Sequence, residues 1–254
     1  MSQTRTIAIA NQKGGVGKTT TAVNLSASLA LTEKRVLLID LDPQANSTSF
    51  LGLDPRAVTT STYEVLTDDV PIREARQQVG VDSLDLVPSA VRLVGAEVEM
   101  VSMIGRELKL KMALNDPELQ YDFVIIDCPP ALNILTLNAL VASKSVLVPV
   151  QCEYFALEGL GLLLDTIKKV QASLNPDLAI EGVLLTMYDG RLNLSKQVEQ
   201  EARKFFADKV YHTVIQRNVR LSEAPGFGKP IVLYDPSSVG AENYNSLAKE
   251  VMAP

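Results

Sequence analysis

Residues 6–31 restrict the possible folds of this chain more than any other stretch. Thr6-Ile7-Ala8-Ile9-Ala10 is a short β-branched apolar run of the kind that forms a buried strand. Residues 22–31 carry apolar side chains at 22, 25, 29 and 30, which is helical spacing. Between them lies Asn11-Gln12-Lys13-Gly14-Gly15-Val16-Gly17-Lys18-Thr19-Thr20-Thr21. A strand, a glycine-rich turn and a helix start make a phosphate cradle. Its backbone N–H groups point inward without Cβ obstruction, and the helix N-terminus adds partial positive charge. Lys18 is then placed to reach the β- and γ-phosphates, and the Thr19 hydroxyl to ligate Mg²⁺. A plain turn would not need two lysines and a run of threonines at these positions.

Strand-like and helical patterns alternate along the rest of the chain, which predicts an α/β fold with a mostly parallel sheet covered on both faces. Strands are expected at 35–40, 84–88, 121–127, 145–150, 179–187 and 231–234. Helices are expected at 133–143, 157–174, 194–206 and about 238–252, the last with Tyr244, Leu247, Ala248 and Val251 on one face. Thr59 to Thr62 reads as a loop and helix cap. Residues 96–114, apolar at 98, 101, 104 and 108, predict one further helix, with Met100, Met103 and Met112 filling the core. No internal repeat or linker divides the chain, so its 254 residues are expected to form one domain.

Three carboxylates stand where a phosphate chemist would want them. Asp127 ends the most apolar strand and would hold Mg²⁺ directly or through water. Asp40 and Asp42 lie at the end of another strand, where ligands of open α/β sheets collect. Asp42-Pro43 is also a turn signal in its own right.

Composition limits the other classes. No apolar run approaches the roughly 18 residues that cross a bilayer. The residues before the first strand do not read as a signal peptide, and Cys128 and Cys152 imply no disulfide framework. A cytoplasmic protein is expected. The net charge is −6, yet residues 187–234 hold eight basic and five acidic side chains, so that window is +3 and the remainder −9. A basic face on an acidic body suits a polyanion.

The standard phosphate-loop pattern, aligned on Gly17-Lys18-Thr19, demands glycine at position 12, and Gln12 stands there. Lys13-Gly14-Gly15-Val16-Gly17-Lys18-Thr19 instead resembles the deviant Walker A motif of the group that includes ParA/Soj, MinD and the nitrogenase iron protein. Further stretches resemble ParA/Soj partitioning ATPases without an N-terminal helix-turn-helix domain. They are Asp40-Leu41-Asp42-Pro43-Gln44, Ile126-Asp127-Cys128-Pro129-Pro130, the run from Pro149 to Gly159, Met187-Tyr188-Asp189-Gly190-Arg191, and Arg217-Asn218-Val219-Arg220-Leu221-Ser222-Glu223-Ala224-Pro225.

That resemblance implies an ATP- and Mg²⁺-dependent ATPase. Gly14 to Thr20 would hold the nucleotide, and Lys13 would reach the nucleotide of a partner copy in an ATP-bound homodimer. Asp42 would orient or deprotonate the attacking water, with Asp40 structural or near the metal. Met187, Arg217 and Asn218 would surround adenine, although Gln216 replaces a proline usual in relatives. Arg191 and Arg220, with Arg217 and Lys196 beside them, would contact double-stranded DNA without sequence preference on the nucleoid. A ParB-like centromere-binding partner would stimulate a slow intrinsic turnover. The resemblance leaves two rivals: a MinD-like membrane ATPase, which needs a basic amphipathic C-terminal helix, and an ATP switch with negligible hydrolysis.

Overall fold

The computed structural model describes residues 4–154 and 160–253. The chain starts with β1 (Arg5–Ile9), α1 (Lys18–Ala30), β2 (Val36–Asp40) and α2 (Asn46–Phe50). There follow α3 (Thr62–Thr67), α4 (Ile72–Ala75), β3 (Gln77–Gln78), β4 (Leu84–Val87), α5 (Leu93–Glu99) and α6 (Lys109–Leu114). Next come β5 (Phe123–Asp127), α7 (Ile134–Ala142), β6 (Ser145–Gln151), α8 (Leu160–Ser173) and β7 (Ala179–Thr186). The chain continues with α9 (Asn193–Phe206), α10 (Val219–Glu223), α11 (Ile231–Tyr234) and α12 (Val239–Met252). The helix expected from 157 is described from Leu160; residues 155–159, which also carry part of the family resemblance, lie outside the described residues.

One seven-stranded sheet runs in the order β3-β4-β2-β5-β1-β6-β7, parallel except for the antiparallel β3–β4 pair. Every residue of β2 and β5 is buried, as expected for strands covered on both faces. One apolar cluster packs α5, α7, α8 and α9 against one face, and the other packs α1, α11 and α12 against the opposite face. β2, β5 and β1 lie side by side in register, so Asp40, Asp127 and Ile9 end at the same level. The glycine loop leaves β1 at that level. This register places the loop beside both carboxylates.

Local chemistry explains several boundaries. Ser61 caps α3 in a full capping box with Glu64, confirming the expected cap. Asn133 caps α7 by accepting from Leu135 N and Thr136 N. The apolar face of α12 is buried as predicted: Tyr244, Leu247, Ala248 and Val251 are at most 2% exposed. Among the described residues no helix is long and apolar enough to cross a membrane.

Two sequence expectations fail. Residues 231–234 form a single helical turn, not a strand. Pro230 precedes it, its first N–H donates to Asn24 Oδ1 at 2.7 Å, and Ile231 and Val232 pack on the α1 side of the sheet. Residues 96–114 are not one helix. The chain breaks at Met103, which is extended, and at Gly105, whose φ is +67°. Leu93, Ala96 and Met100 face the core, whereas Val98, Val101 and Ile104 are exposed. Met100 is core and Met103 packs against it, but Met112 is exposed.

Gly182 shows how tightly β7 is overlaid. A Cβ there would lie 2.5 Å from Tyr211 Cε2, on a ring that is itself buried. Gly182→Ala should therefore cost about 1–3 kcal/mol through overpacking. Thermal unfolding should show a Tm lower by roughly 3–10 °C.

Candidate nucleotide site

The glycine loop is held from below by buried side chains. Asn11 Nδ2 donates to Pro149 O at 2.7 Å, and Asn11 Oδ1 accepts from Lys13 N at 3.0 Å. Thr186 Oγ1, at the end of β7, donates to Val16 O at 2.8 Å. Gly15 and Gly17 have φ of +73° and +86°, a region that excludes most other residues. Gly14 is different: its φ is not left-handed, and a Cβ there meets nothing within 4 Å. Gly14 and Gly15 are exposed, Lys13 is half-buried, and Lys18 is only 7% exposed.

Lys18 Nζ donates to Lys13 O at 3.2 Å. Burial lowers its pKa, against the raising effect of Asp127, Cys128 and Asp42 nearby. Asp127 Oδ2 accepts from Ser47 Oγ at 2.8 Å, and the Thr19 hydroxyl lies close enough to this carboxylate to lower its pKa. Burial pushes the Asp127 carboxyl up from its ordinary value, to about 6. Asp40 is raised further, first by burial and then by Asp127. Two buried carboxylates at the ends of adjacent strands repel each other, so a cation beside them relieves both.

Asp42 is 7% exposed and its Oδ1 accepts from Gln44 N at 2.9 Å, the turn that Asp42-Pro43 implied. Asp40 is wholly internal to the scaffold. Its carboxylate accepts from Thr48 N, Thr48 Oγ1 and Asp42 N. Ser89 N donates to Thr48 Oγ1 and Ser89 Oγ to Asp42 O, which fastens the loop to the end of β4. Sequence reading missed Thr186, Ser47, Thr48 and Ser89. The last three are ordinary small polar residues whose role follows only from the register of β2, β4 and β5.

The fit of a metal can be tested on one atom. Asp127 Oδ1 is buried and has no hydrogen-bond partner, next to the Thr19 hydroxyl. Such an atom is costly unless something fills its coordination. A hard divalent cation with oxygen ligands matches the donor set.

A cavity of about 360 Å³ adjoins the loop, and its walls include Gly17, Thr20, Met187, Gln216, Arg217 and Asn218. The structure thus brings the expected base-contacting residues together with the phosphate loop. Met187 adopts a left-handed φ of 50° at the rim. Asn218 is partly committed, because its Oδ1 caps α10 by accepting from Arg220 N at 2.8 Å.

The arginines are less free than their sequence suggested. Arg191 is 89% exposed at its side chain and pairs with Asp189 at 2.7 Å. Arg217 also acts on Asp189, whose pKa falls to about 2 chiefly through the Arg191 hydrogen bond, and lies 3.8 Å from Glu153. Arg220 pairs with Glu223 at 2.9 Å and Asp235 at 3.4 Å. Lys196 is exposed near the start of α9. Arg191 pairs with Asp189 and Arg217 with Glu153, while Arg220 is held by a separate acidic pair.

A mostly parallel sheet, a glycine loop running into α1, and a strand-end aspartate beside the loop define a P-loop nucleoside triphosphatase. Residues 4–180 match a family described as an AAA domain. The chain is 59% identical over 97% of its length to the sporulation initiation inhibitor protein Soj of Bacillus subtilis, covering 98% of that protein. It is 53% identical to the chromosome partitioning protein ParA of Myxococcus xanthus, covering 98% of this chain and 88% of that one. Among solved structures it resembles cobyrinic acid a,c-diamide synthase from Mycobacterium smegmatis with bound ADP and magnesium. There the TM-score is 0.86 and the identity 40%, over 97% of this chain and 93% of that one. The chain belongs to the ParA/Soj family of chromosome-partitioning ATPases.

Proposed function

We propose that this chain binds and hydrolyses ATP with Mg²⁺ and uses the cycle to hold and release DNA during segregation. The single observation that carries the nucleotide part is the orphaned Asp127 Oδ1 beside Thr19 and the buried Lys18. Thr19 and Asp127, with Asp42 near them, would hold Mg²⁺, which supplies Lewis-acid stabilisation of phosphate charge when bound. Gly14 to Thr20 cradle the phosphates, and Lys18 neutralises charge on the transferred group. Asp42 positions the attacking water and accepts its proton. Met187, Arg217 and Asn218 enclose the base. The relative crystallised with ADP and magnesium supports this cofactor set.

Lys13 and Gly14 lie at the surface of the loop, where a second copy can approach, so the ATP-bound state is a homodimer with Lys13 serving the partner's nucleotide. Two copies bring together two sets of Arg191, Lys196, Arg217 and Arg220. That doubling allows an acidic protein to bind DNA through phosphates, without sequence preference, on the nucleoid. Turnover is slow alone and rises with DNA and a ParB-like partner.

The test is DNA binding with a non-hydrolysable ATP analogue as salt is varied. Arg191→Glu and Arg220→Glu should each lower the slope of log affinity against log salt by about 1–2, since each contact occurs twice per dimer. ATP binding should stay unchanged. An unaltered slope and affinity in both variants would remove these arginines from the DNA surface.

A further inference from the structure

Ser47 and Thr48 are consecutive residues of α2, and each holds one of two strand-end carboxylates. Ser47 Oγ donates to Asp127 Oδ2 at 2.8 Å, while Thr48 Oγ1 and N donate to Asp40 Oδ2 at 2.7 and 2.8 Å. All four residues are fully buried. Asp40 and Asp127 are register partners in adjacent strands, so a single turn of α2 reaches both. The chain arrives there through a strained residue. Ala45 has a left-handed φ of 53° without being glycine, is buried, and donates its N–H to Asp42 O at 2.8 Å. Backbone of this kind persists where its surroundings over-determine it. The bonds from Ser47 and Thr48 supply that constraint.

The two carboxylates are satisfied differently. Asp40 accepts on both oxygens, from Asp42 N on Oδ1 and from Thr48 on Oδ2. Asp127 accepts from Ser47 on Oδ2, and its buried Oδ1 has no partner. Asp40 is thus filled by the protein, whereas Asp127 is fixed on one oxygen and open on the other. A carboxylate pinned in this way cannot turn freely, so its open oxygen keeps one direction. Hydrogen-bond partners behind a ligating group orient metal ligands by the same means.

We infer that Ser47 is a positioning residue for the divalent cation: it pins Asp127 Oδ2 and so keeps Oδ1 available to the metal, an inference that rests on the Mg²⁺ site proposed above. Ser47 need touch neither the nucleotide nor the reacting atoms. It follows Asp42 on the same short segment, and Ser89 fastens that segment to the end of β4 through Thr48 Oγ1 and Asp42 O. The metal ligand and the carboxylate assigned to the attacking water are therefore held by one piece of chain. Removing the Ser47 hydroxyl should loosen the metal's ligand while leaving the phosphate cradle, which is braced separately by Asn11 and Thr186, as it is. Loss of such a partner lowers metal affinity about 10–100-fold.

The experiment titrates Mg²⁺ into wild type, Ser47→Ala, Ser47→Thr and Thr48→Val while following binding of a fluorescent, non-hydrolysable ATP analogue. Ser47→Ala should raise the half-saturating Mg²⁺ concentration by about tenfold or more, with affinity for the analogue in EDTA unchanged. Ser47→Thr keeps the hydroxyl and should restore the wild-type requirement. Thr48→Val removes an equally buried hydroxyl from the same turn but leaves Asp127 bonded, so it should lower the melting temperature without raising the Mg²⁺ requirement. Circular dichroism checks folding, and Ser47→Cys, a near-isostere with a weak donor, gives a second measure that should move in the direction of Ser47→Ala. A wild-type Mg²⁺ requirement in both Ser47→Ala and Ser47→Cys overturns the role of Ser47 and spares the metal site. An equal rise in Thr48→Val also overturns it, because general loosening of α2 then accounts for the effect. A wild type whose affinity for the analogue ignores Mg²⁺ overturns the metal site itself.

Discussion

Asp42→Asn should stop ATP hydrolysis while leaving ATP binding intact. The asparagine keeps the acceptor that Asp42 Oδ1 offers to Gln44 N, so the turn and the loop beyond it survive. What it loses is the charge and basicity that the proposed role directs at the attacking water. Loss of a positioned base costs about 10²–10⁴-fold in rate. Single-turnover hydrolysis with and without DNA measures it, and nucleotide-bound dimer should accumulate. Asp42→Ala is a poorer probe because it removes the turn together with the base. If Asp42→Asn hydrolyses ATP at the wild-type rate, Asp42 is a turn residue only.

The second large effect is expected at Gly14. A Cβ there meets nothing within 4 Å and its φ is not left-handed, so Gly14→Val should leave the isolated chain within about 0.5 kcal/mol of wild type. Any defect then reports on another molecule approaching the loop. Overpacking at a close contact costs about 1–3 kcal/mol, which weakens dimerisation roughly 5–150-fold. Gly15→Val is the contrasting control. Its φ of +73° strains any β-branched residue, so it should damage the loop even in the monomer. Analytical ultracentrifugation with and without nucleotide separates the two. Wild-type dimerisation by Gly14→Val would place the partner elsewhere.

The sheet and its loop were legible because two different signals agree there. β5 reads as a buried strand from its unbroken apolar run, and the glycine pattern needs no tertiary context. The segment from 96 to 114 was misread for a physical reason. Residues 91–101 carry two apolar stripes, a buried one through Leu93, Ala96 and Met100 and an exposed one through Val91, Val94, Val98 and Val101. Periodicity shows that a stripe exists but not which one meets the core. Ile231-Val232-Leu233-Tyr234 was misread because β-branched Ile231 and Val232 and aromatic Tyr234 suit a strand, yet Pro230 opens a helical turn there and Asn24 receives the first N–H. Thr48 and Ser89 could not be recognised at all, since their value lies in contacts 8 and 41–47 residues away.

The pairing of each arginine with a carboxylate bears on how DNA is released. Exposed pairs such as Arg191–Asp189 and Arg220–Glu223 are weak, so a phosphate displaces the acid at little cost. The reverse exchange is equally easy. A phosphate that leaves is replaced at once by an internal anion, with no need to recruit a salt ion from solution. If the proposed DNA contact is made by these arginines, the surface would act as an ion exchanger carrying its own counterions, with a shallow and readily reversed hold on a polyanion. In the proposed cycle, parting of the two copies would halve the set of arginines, return each to its acid and let the monomer leave the DNA.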